Sequence, residues 1–374
     1  MTFDHSHYVP ILKGKKGELL ALAKADNLQK FTPLVEVIPI PREYPDEGDS
    51  YLSKSMEKHI KDTAASYKKA MGILPRVFID GRYIEGEKVN DGSSAIGRLF
   101  SLLRSGGIKY IPTIGLDRVE DYANAVCDAI ATAKNGCCLR LWESDLESLS
   151  DLDSQIMSLL RTLNVATNSV DLLIDFQDKV PPKVTLPLLL NALPRLDEWR
   201  TLTLSSSAFP QYLSDVATNT IEERERSEWL AWVYVRAAQN GAKKRIPTFG
   251  DYGINHPTIV DELDPRMITV SPNIRYTSAA SYVIAKGKAQ PRKKKAQTDA
   301  QKTAREQLAP SIQYPNLAAM IKGHPSWKDR KFSWGDDFID RCSQKRCTGT
   351  GSDWRGVGAS HHIAVVAQQI ANLP

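Results

Sequence analysis

Six charged side chains that sit in, or at the end of, short apolar runs are the natural starting points for chemistry: Lys13, Glu36, Asp80, Arg140, Asp175 and Asp251. Carboxylates and an ammonium held close together cannot all keep their solution protonation, since burial and like charge disfavour ionisation while Lys13 favours it. Oxygen donors of this kind suit a hard divalent metal ion. Glu36, Asp80 and Asp251 are therefore candidate metal ligands, with Lys13 on a phosphate and Asp175 as a further catalytic carboxylate. The same set could do acid–base work without a metal, or Glu36 and Lys13 could form a buried structural ion pair. Arg140 beside Asp175 reads either as an architectural fork or as the bidentate partner of a bound anion.

These residues meet only if the runs that carry them are neighbours. Eight such runs, at 8–13, 32–40, 76–80, 110–115, 136–142, 170–175, 199–205 and 245–251, begin roughly 34 residues apart, which is room for a strand, a loop, a helix and a second loop. They are apolar on consecutive residues, as parallel strands covered on both faces should be. Helical patterns fall between them at 17–29, 93–103, 118–134 after a cap at Asp117, 151–163 after Ser150, and 221–239. Pro187 and Pro194 shorten or kink any helix within 181–196. The predicted fold class is α/β, a parallel (β/α)8 TIM-like barrel with a C-terminal α-helical extension. In a closed barrel the eighth, first, second and third strands are consecutive, so Asp251, Lys13, Glu36 and Asp80 share one sector of the mouth, with Arg140 and Asp175 opposite. Ser205 and Ser206 add hydroxyls where many barrels hold phosphate, or serve a loop or helix cap. His256 would overhang the mouth as an acid–base group, a phosphate contact or an ordinary hydrogen-bonded loop histidine.

Beyond the eighth run, 267–272 and 282–286 look like two strands closing over one barrel end. Residues 286–302 hold seven Lys or Arg against one Asp and no aromatic residue, a composition that stays solvated and attracts phosphates without sequence preference. The expected organisation is a barrel with closing strands over 1–287, a flexible basic linker over 288–309, and a module over 310–374 that packs on the barrel. In that module Gly349, Gly351, Gly356 and Gly358 lead into Ser360, His361 and His362. With Ser360 as N-cap, both imidazoles fall in the first helical turn, where the helix dipole disfavours protonation. Neutral histidines there, with Arg355 and free backbone amides, suit an anion or a metal. Cys342 and Cys347 could join one of them on zinc, although the second spaced pair of a zinc finger is missing. Trp334 and Asp336 either help dock the module on the barrel or stack on a base.

A net charge of +5 over 374 residues does not by itself imply nucleic acid. No apolar stretch approaches the ~20 residues of a membrane span, and the N-terminus lacks the basic and apolar regions of a signal peptide. The five cysteines have no compact spacing and read as free thiols of a reducing compartment, so the expectation is a cytoplasmic protein without a membrane partner.

Several strings resemble the phage and bacterial "beta protein" family: YVPILKGKKGE at 8–18, TPLVEVIP at 32–39, FGDYGINHP at 249–257, NIRYTSAASYVIAKG at 273–287, FSWGDDFI at 332–339 and WRGVGASHHI at 354–363. The resemblance runs the length of the chain. It implies a setting among accessory genes of phages, prophages and bacterial defence islands, and no particular reaction. The fourth string carries Arg275, which joins Arg140, Ser205, Ser206, His256, Trp334, Asp336, Arg355, His361 and His362 as a candidate ligand-binding residue.

Two functions compete. In one, the mouth binds a phosphorylated or nucleotide-like ligand and hydrolyses it with a divalent metal; Asp80→Asn and Asp251→Asn then abolish binding without lowering thermal stability. In the other, the chain is a non-catalytic interaction protein of phage–host conflict that contacts a partner protein or, through its basic linker, nucleic acid. An open mouth favours the first and a filled mouth the second.

Overall fold

The eight runs close into a single parallel barrel in the computed structural model of the protein, which describes residues 2–45, 48–259, 264, 266, 269, 271–291 and 298–373. β1 (Tyr8–Leu12) and β2 (Leu34–Glu36) are followed by a small exposed ribbon of β3 (Arg42–Glu43) and β4 (Tyr51–Leu52). The ring continues through β5 (Val77–Asp80), β6 (Tyr110–Ile114), β7 (Cys137–Trp142), β8 (Val170–Asp175) and β9 (Thr201–Ser206). It omits β10 (Thr220–Glu225) and closes where β11 (Thr248–Asp251) pairs with β1. Seven helices follow the first seven barrel strands: α1 (Lys16–Ala23), α2 (Met56–Met71), α3 (Ala95–Ser105), α4 (Glu120–Ala133), α5 (Leu149–Leu163), α6 (Leu186–Ala192) and α7 (Ser227–Gly241). α6 is short because Pro187 opens it and Pro194 forbids its continuation.

Side chains alternate along each strand. Val9 and Ile11 of β1, Leu34 of β2, Phe78 of β5, Cys138 of β7 and Leu173 of β8 fill the lumen. Tyr8, Leu12, Val35, Ile79, Leu139 and Phe249 face the helices instead. This parity decides which strand-end charges can reach one another.

The eighth helix does not come next in the chain. After β11 the polypeptide builds β12 (Asn273–Thr277) and β13 (Ser281–Lys286), an antiparallel pair that adds β10 as its third strand. That pairing overturns the helix expected over 221–239: its first turns are a strand held by β13, and α7 begins only at Ser227. Of the strand expected at 267–272, residues 267, 268 and 270 lie outside the described residues and 269, 271 and 272 are not strand; β12 starts at Asn273. α8 (Asp299–Gln307), α9 (Pro310–Lys322), α10 (Trp334–Ser343) and α11 (Gly351–Ala371) complete the chain. Part of the segment expected to be a flexible linker is thus helical: Thr298 caps α8, while residues 292–297 lie outside the described residues. Lys286 is strand, not linker, and its Nζ donates to Leu213 O at 2.5 Å and to Val216 O at 2.8 Å.

α11 joins two cores. Its first turns place Trp354 and Val357 in a cluster with Ile274 and Tyr276 of β12, Leu317 of α9 and Ile339 of α10. Its later turns place Ile363, Val366 and Ile370 in the barrel's own cluster. Lying against α1, it takes the position of the missing eighth barrel helix. Two glycines make that approach possible: a Cβ on Gly17 would stand 2.4 Å from Ser352 O, and one on Gly356 would stand 2.7 Å from Gly17 O. Any side chain at either position forces the helices apart. Among the described residues no helix is long and apolar enough to cross a membrane.

Candidate functional site

A buried charge cluster closes the lumen near the C-terminal ends of the strands. Glu36 and Asp80 are register partners on β2 and β5. From β7, Arg140 reaches both: its Nη1 donates to Glu36 Oε1 at 2.8 Å and to Asp80 Oδ2 at 2.6 Å. Its Nε and Nη2 donate to Asp175 Oδ2 at 2.9 and 2.6 Å, and Nη2 also donates to Tyr252 OH at 2.7 Å. Lys13 donates to Glu36 Oε2 at 3.2 Å and to Pro257 O. Arg118 donates to Asp80 Oδ1 at 3.3 Å, and Arg82 stands 3.7 Å from Glu36 Oε1. The two sectors expected on opposite sides of the mouth are therefore one cluster, joined by Arg140.

Burial pushes the Asp80 and Glu36 carboxyls up, but the surrounding cations outweigh it: Arg118 and Arg140 at Asp80, Lys13 and Arg140 at Glu36. Both are held below the usual carboxylate range and are ionised at pH 7. Arg82 and Arg140 lie against the Trp142 ring, and Lys13 over those of Tyr83 and Tyr252, so cation–π contacts occupy the rest of the mouth. The mouth is filled. Its acids are engaged by guanidinium and ammonium groups, and among the described residues no group of three or more His, Cys, Asp or Glu is disposed to hold a metal ion.

Asp251 belongs to the other face of its strand. Two residues after Phe249, it points outward beneath α11. Tyr8 OH donates to its Oδ1 at 2.5 Å, Gly253 N to the same oxygen at 2.9 Å, and His362 Nε2 lies 2.8 Å from Oδ2. Strand order alone put Asp251 among the metal ligands; strand parity removes it. Burial lowers the His362 pKa and keeps the ring neutral at pH 7, whereas at Asp251 His362 and its other partners outweigh burial and keep the carboxylate ionised.

The expected cap at Ser360 is also corrected. α11 begins nine residues earlier, at Gly351, where Thr350 and Asp353 form a capping box. Ser360 lies in mid-helix and accepts from Gly335 N at 3.3 Å. His361 and His362 are fully buried and point apart. His361 Nδ1 is 2.9 Å from Asp336 Oδ2 and its Nε2 is 2.9 Å from Thr277 O, while Thr277 Oγ1 meets His362 Nδ1 at 2.9 Å. Asp336 also accepts from Tyr276 OH at 2.8 Å and Ser333 Oγ at 2.6 Å. The two histidines fasten α11 to β12 and to β11 and face no open site. Cys342 is buried in the second core, Cys347 donates to Phe338 O at 3.7 Å, and Trp334 packs on Phe338 in that same core. No zinc set is assembled among the described residues.

A further acid sits under the same cover. Glu228 at the start of α7 accepts from Tyr282 OH at 2.7 Å and from Ala208 N at 3.2 Å, with Arg226 Nε 3.7 Å away. Burial pushes its carboxyl up to about 7. An acid with a raised folded pKa loses stability as pH climbs from its unfolded value of about 4.5 towards the folded one, at about 1.4 kcal/mol per pH unit. Glu228→Gln is therefore expected to raise stability at pH 8 by about 1–3 kcal/mol and to leave it nearly unchanged at pH 4. Urea unfolding at the two pH values measures both arms.

An open cleft lies beside the mouth. A cleft of about 490 Å³ is bounded by Lys13, Lys15 and Glu18 around the β1–α1 turn, by Asn255 and His256 after β11, by Arg275 of β12, by Tyr314 of α9, and by Gly351, Ser352 and Arg355 at the start of α11. Glu18 is the only acid among the described residues of this lining. Burial raises its pKa, and its oxygens accept from Lys13 N at 2.9 Å, Lys15 N at 3.3 Å and Asn255 Nδ2 at 2.9 Å. Arg275 has neutral partners only: Nη1 donates to Ile254 O at 2.6 Å and Asn255 Oδ1 at 3.2 Å, Nε donates to Asn273 Oδ1 at 3.3 Å, and the guanidinium covers the Phe209 ring at 4.4 Å. The Arg355 side chain makes no hydrogen bond or close ion pair among the described residues, and Tyr314 and Glu18 are the groups whose charge favours its protonated form. Burial lowers Arg355 to about 10, and burial together with the charge of Arg355 drives Arg275 well below its ordinary range. His256, lowered by burial, accepts from Thr258 N at 3.1 Å and stands 3.4 Å from Asp178.

Of the candidate residues, then, Lys13, His256, Arg275 and Arg355 share the cleft. Glu36, Asp80, Arg140 and Asp175 form the filled mouth; Asp251, Asp336, His361 and His362 are fastenings. Ser205 is buried in the lumen wall with its hydroxyl unpartnered among the described residues, and Ser206 turns outward toward Glu228. Lys15, Glu18 and Tyr314 were missed as lining residues. The string KGKKGE, two glycines among three lysines at a helix start, was the available signal for the first two; Tyr314 offered none.

A family model described as Beta protein matches residues 8–368. No curated protein matches the chain.

Proposed function

We propose that this chain, which belongs to the Beta protein family, binds a phosphorylated or nucleotide-like ligand in the cleft at the barrel rim, with the barrel as scaffold. The observation that carries the reading is the pair Arg275 and Arg355, both in the cleft and neither in a close ion pair with a carboxylate among the described residues, with Glu18 as the one acid of the lining acting on Arg355. Buried unmatched charge is costly, and an anion relieves that cost. Guanidinium forks suit phosphate oxygens, and the start of the 21-residue α11 presents backbone amides and a positive dipole end to the same space. The cleft's volume falls in the usual range for small-molecule sites, about 300–1,000 Å³.

Metal-dependent hydrolysis at the mouth has less support, because the acids it would use already hold Arg140, Arg118 and Lys13. A role in phage–host conflict rests on the family resemblance alone, and a cytoplasmic setting on the cysteine spacing and the want of a spanning or signal segment in the sequence. In that setting the protein would sense or sequester a phosphorylated small molecule. Thermal unfolding against nucleotides, sugar phosphates and their unphosphorylated counterparts tests the reading. A ligand at 100 times its Kd adds about 2.7 kcal/mol and raises Tm by several degrees, while neutral nucleosides and sugars leave it unmoved. If no phosphorylated compound shifts Tm at about 10 mM, the reading fails.

A further inference from the structure

We infer a second ligand site on the outer wall of the barrel, where the groove between α1 and α2 takes a medium-chain carboxylic acid. Its tail lies along α1 and its carboxylate sits at the mouth end. The site stands apart from the phosphorylated-ligand cleft, and the two linings share Lys15 alone among the described residues.

Three observations carry it. The first begins in the sequence. Residues 19–23 of α1 read LLALA, five consecutive apolar positions, so beyond its first turn this helix has no polar face. A helix that is apolar all round is normally covered all round. Ala21 and Leu22 are fully buried, and α11 covers the side at Gly17. Leu20 and Ala23, however, are only half-buried, and with Leu19 they line the groove.

The second is room. α2 faces the groove with Thr63, Ser66, Tyr67 and Ala70, which recur at helical spacing, and three of the four are short. They leave a space of about 480 Å³, within the usual range for small-molecule sites. Ile38 and Pro41, from the chain after β2, extend the apolar wall. An acyl chain threads a gap between neighbouring helices that a partner helix about 10–12 Å across would have to force open.

The third is charge. Lys16 opens α1, Lys54 precedes the Ser55 cap of α2, and Lys69 lies in the last turn of α2; all three line the groove. Asp62 is the only acid of this lining among the described residues, and it already stands 2.7 Å from Lys54 and 3.2 Å from Lys58. Lys16 and Lys69 therefore have no acid of the groove left to pair with. In a parallel barrel each helix starts at the end where the preceding strand stops, so Lys16 and Lys54 share the mouth end. That sets the direction of the ligand, with its carboxylate at the mouth end and its tail toward Ala23 and Ala70. From Lys16 to Ala23 the helix rises about 10 Å, the length of an extended chain of about eight to ten carbons.

Calorimetric titration of the full chain at pH 8 and low salt with decanoate, hexanoate, decanol and decyltrimethylammonium tests the site. Decanoate is expected to bind at least about tenfold more tightly than hexanoate, since each of the four missing methylenes is worth about fourfold when fully buried. It should also bind about threefold or more tightly than decanol, a margin that narrows as salt rises, and the cationic probe should not bind. Lys16→Glu should weaken decanoate by about threefold or more, and Leu20→Gln, or Thr63→Phe as a groove-filling variant, by about tenfold. Circular dichroism confirms that each variant is folded. No binding of decanoate at about 1 mM overturns the inference, as does decanol or the cation binding equally well. Unchanged decanoate affinity in folded Leu20→Gln and Thr63→Phe removes this groove as the site. Adsorption to anionic vesicles without a response to monomeric decanoate overturns it in favour of a membrane surface.

Discussion

Arg140→Met is expected to leave the protein unfolded or insoluble at 25 °C. Arg140 is fully buried and donates to Glu36, Asp80 and Asp175 within 2.9 Å. Removing one partner of a buried ion pair costs about 3–5 kcal/mol, because the survivor is left as an uncompensated charge. Here three carboxylates lose the same partner, against a total stability of about 5–15 kcal/mol for a natural domain. Some will take up protons, so the full sum is not reached, but a loss of more than about 5 kcal/mol is expected. Adding Asp175→Asn to Arg140→Met should recover part of the lost stability, because Asp175 pairs with no other cation of the cluster, whereas Glu36 and Asp80 must stay ionised to hold Lys13 and Arg118. Soluble yield, near-ultraviolet circular dichroism and urea midpoints read the series. A normal midpoint for Arg140→Met alone would show that the cluster does not hold the lumen. The same logic reverses the expectation for Asp80→Asn, which should lower stability by about 2–4 kcal/mol instead of acting only on ligand binding.

A protein ending at Gly287 is expected not to fold, although it contains all eight barrel strands. Without α11 the outer face of β11 and β1 loses Ile363, Val366 and Ile370, and Asp251 loses His362. The β10–β13–β12 sheet loses every helix that covers Ile274, Tyr276, Val283 and Ala285. Exposing three large aliphatic side chains' worth of barrel surface costs about 5–9 kcal/mol, before the second core is counted. The expected result is an insoluble or molten species with no cooperative thermal transition. Co-expression of residues 288–374 as a separate chain should recover part of the soluble barrel. A cooperative transition in the truncated protein would show that α11 is an appendage and not the eighth helix.

The barrel was legible because its evidence is periodic. Consecutive apolar runs at regular intervals report parallel strands wherever they occur, and all eight fell within a few residues of the observed strands. The site was legible only in its residue types. Glu36 and Asp80 could be placed side by side from strand order, and they are register partners. Asp251 could not be placed from order alone, because a single residue of parity sends it to the opposite face. The reach of Arg140 across the lumen depends on side-chain length and on what else fills the space, neither of which a spacing reveals. The apparent cap at Ser360 misled for a related reason. Glycines suggested a loop, whereas Gly356 and Gly358 are helical and serve close packing against α1 and β12. Arg275 and Arg355 lie 80 positions apart and share a cleft only because α11 packs back on β12 and α1.

That return also sets the order of events during synthesis. Roughly a hundred residues separate the last barrel strand from the helix that covers it, so a ribosome adding about 5–20 residues per second finishes β11 about 5–20 s before α11 begins. In that interval the nascent chain has every strand of its ring but an uncovered apolar seam, the condition in which half-made proteins associate wrongly. The helix that seals β1 is thus made some hundred residues after the last barrel strand. Emergence of α11, rather than completion of the barrel sequence, is the moment at which this ring can become native.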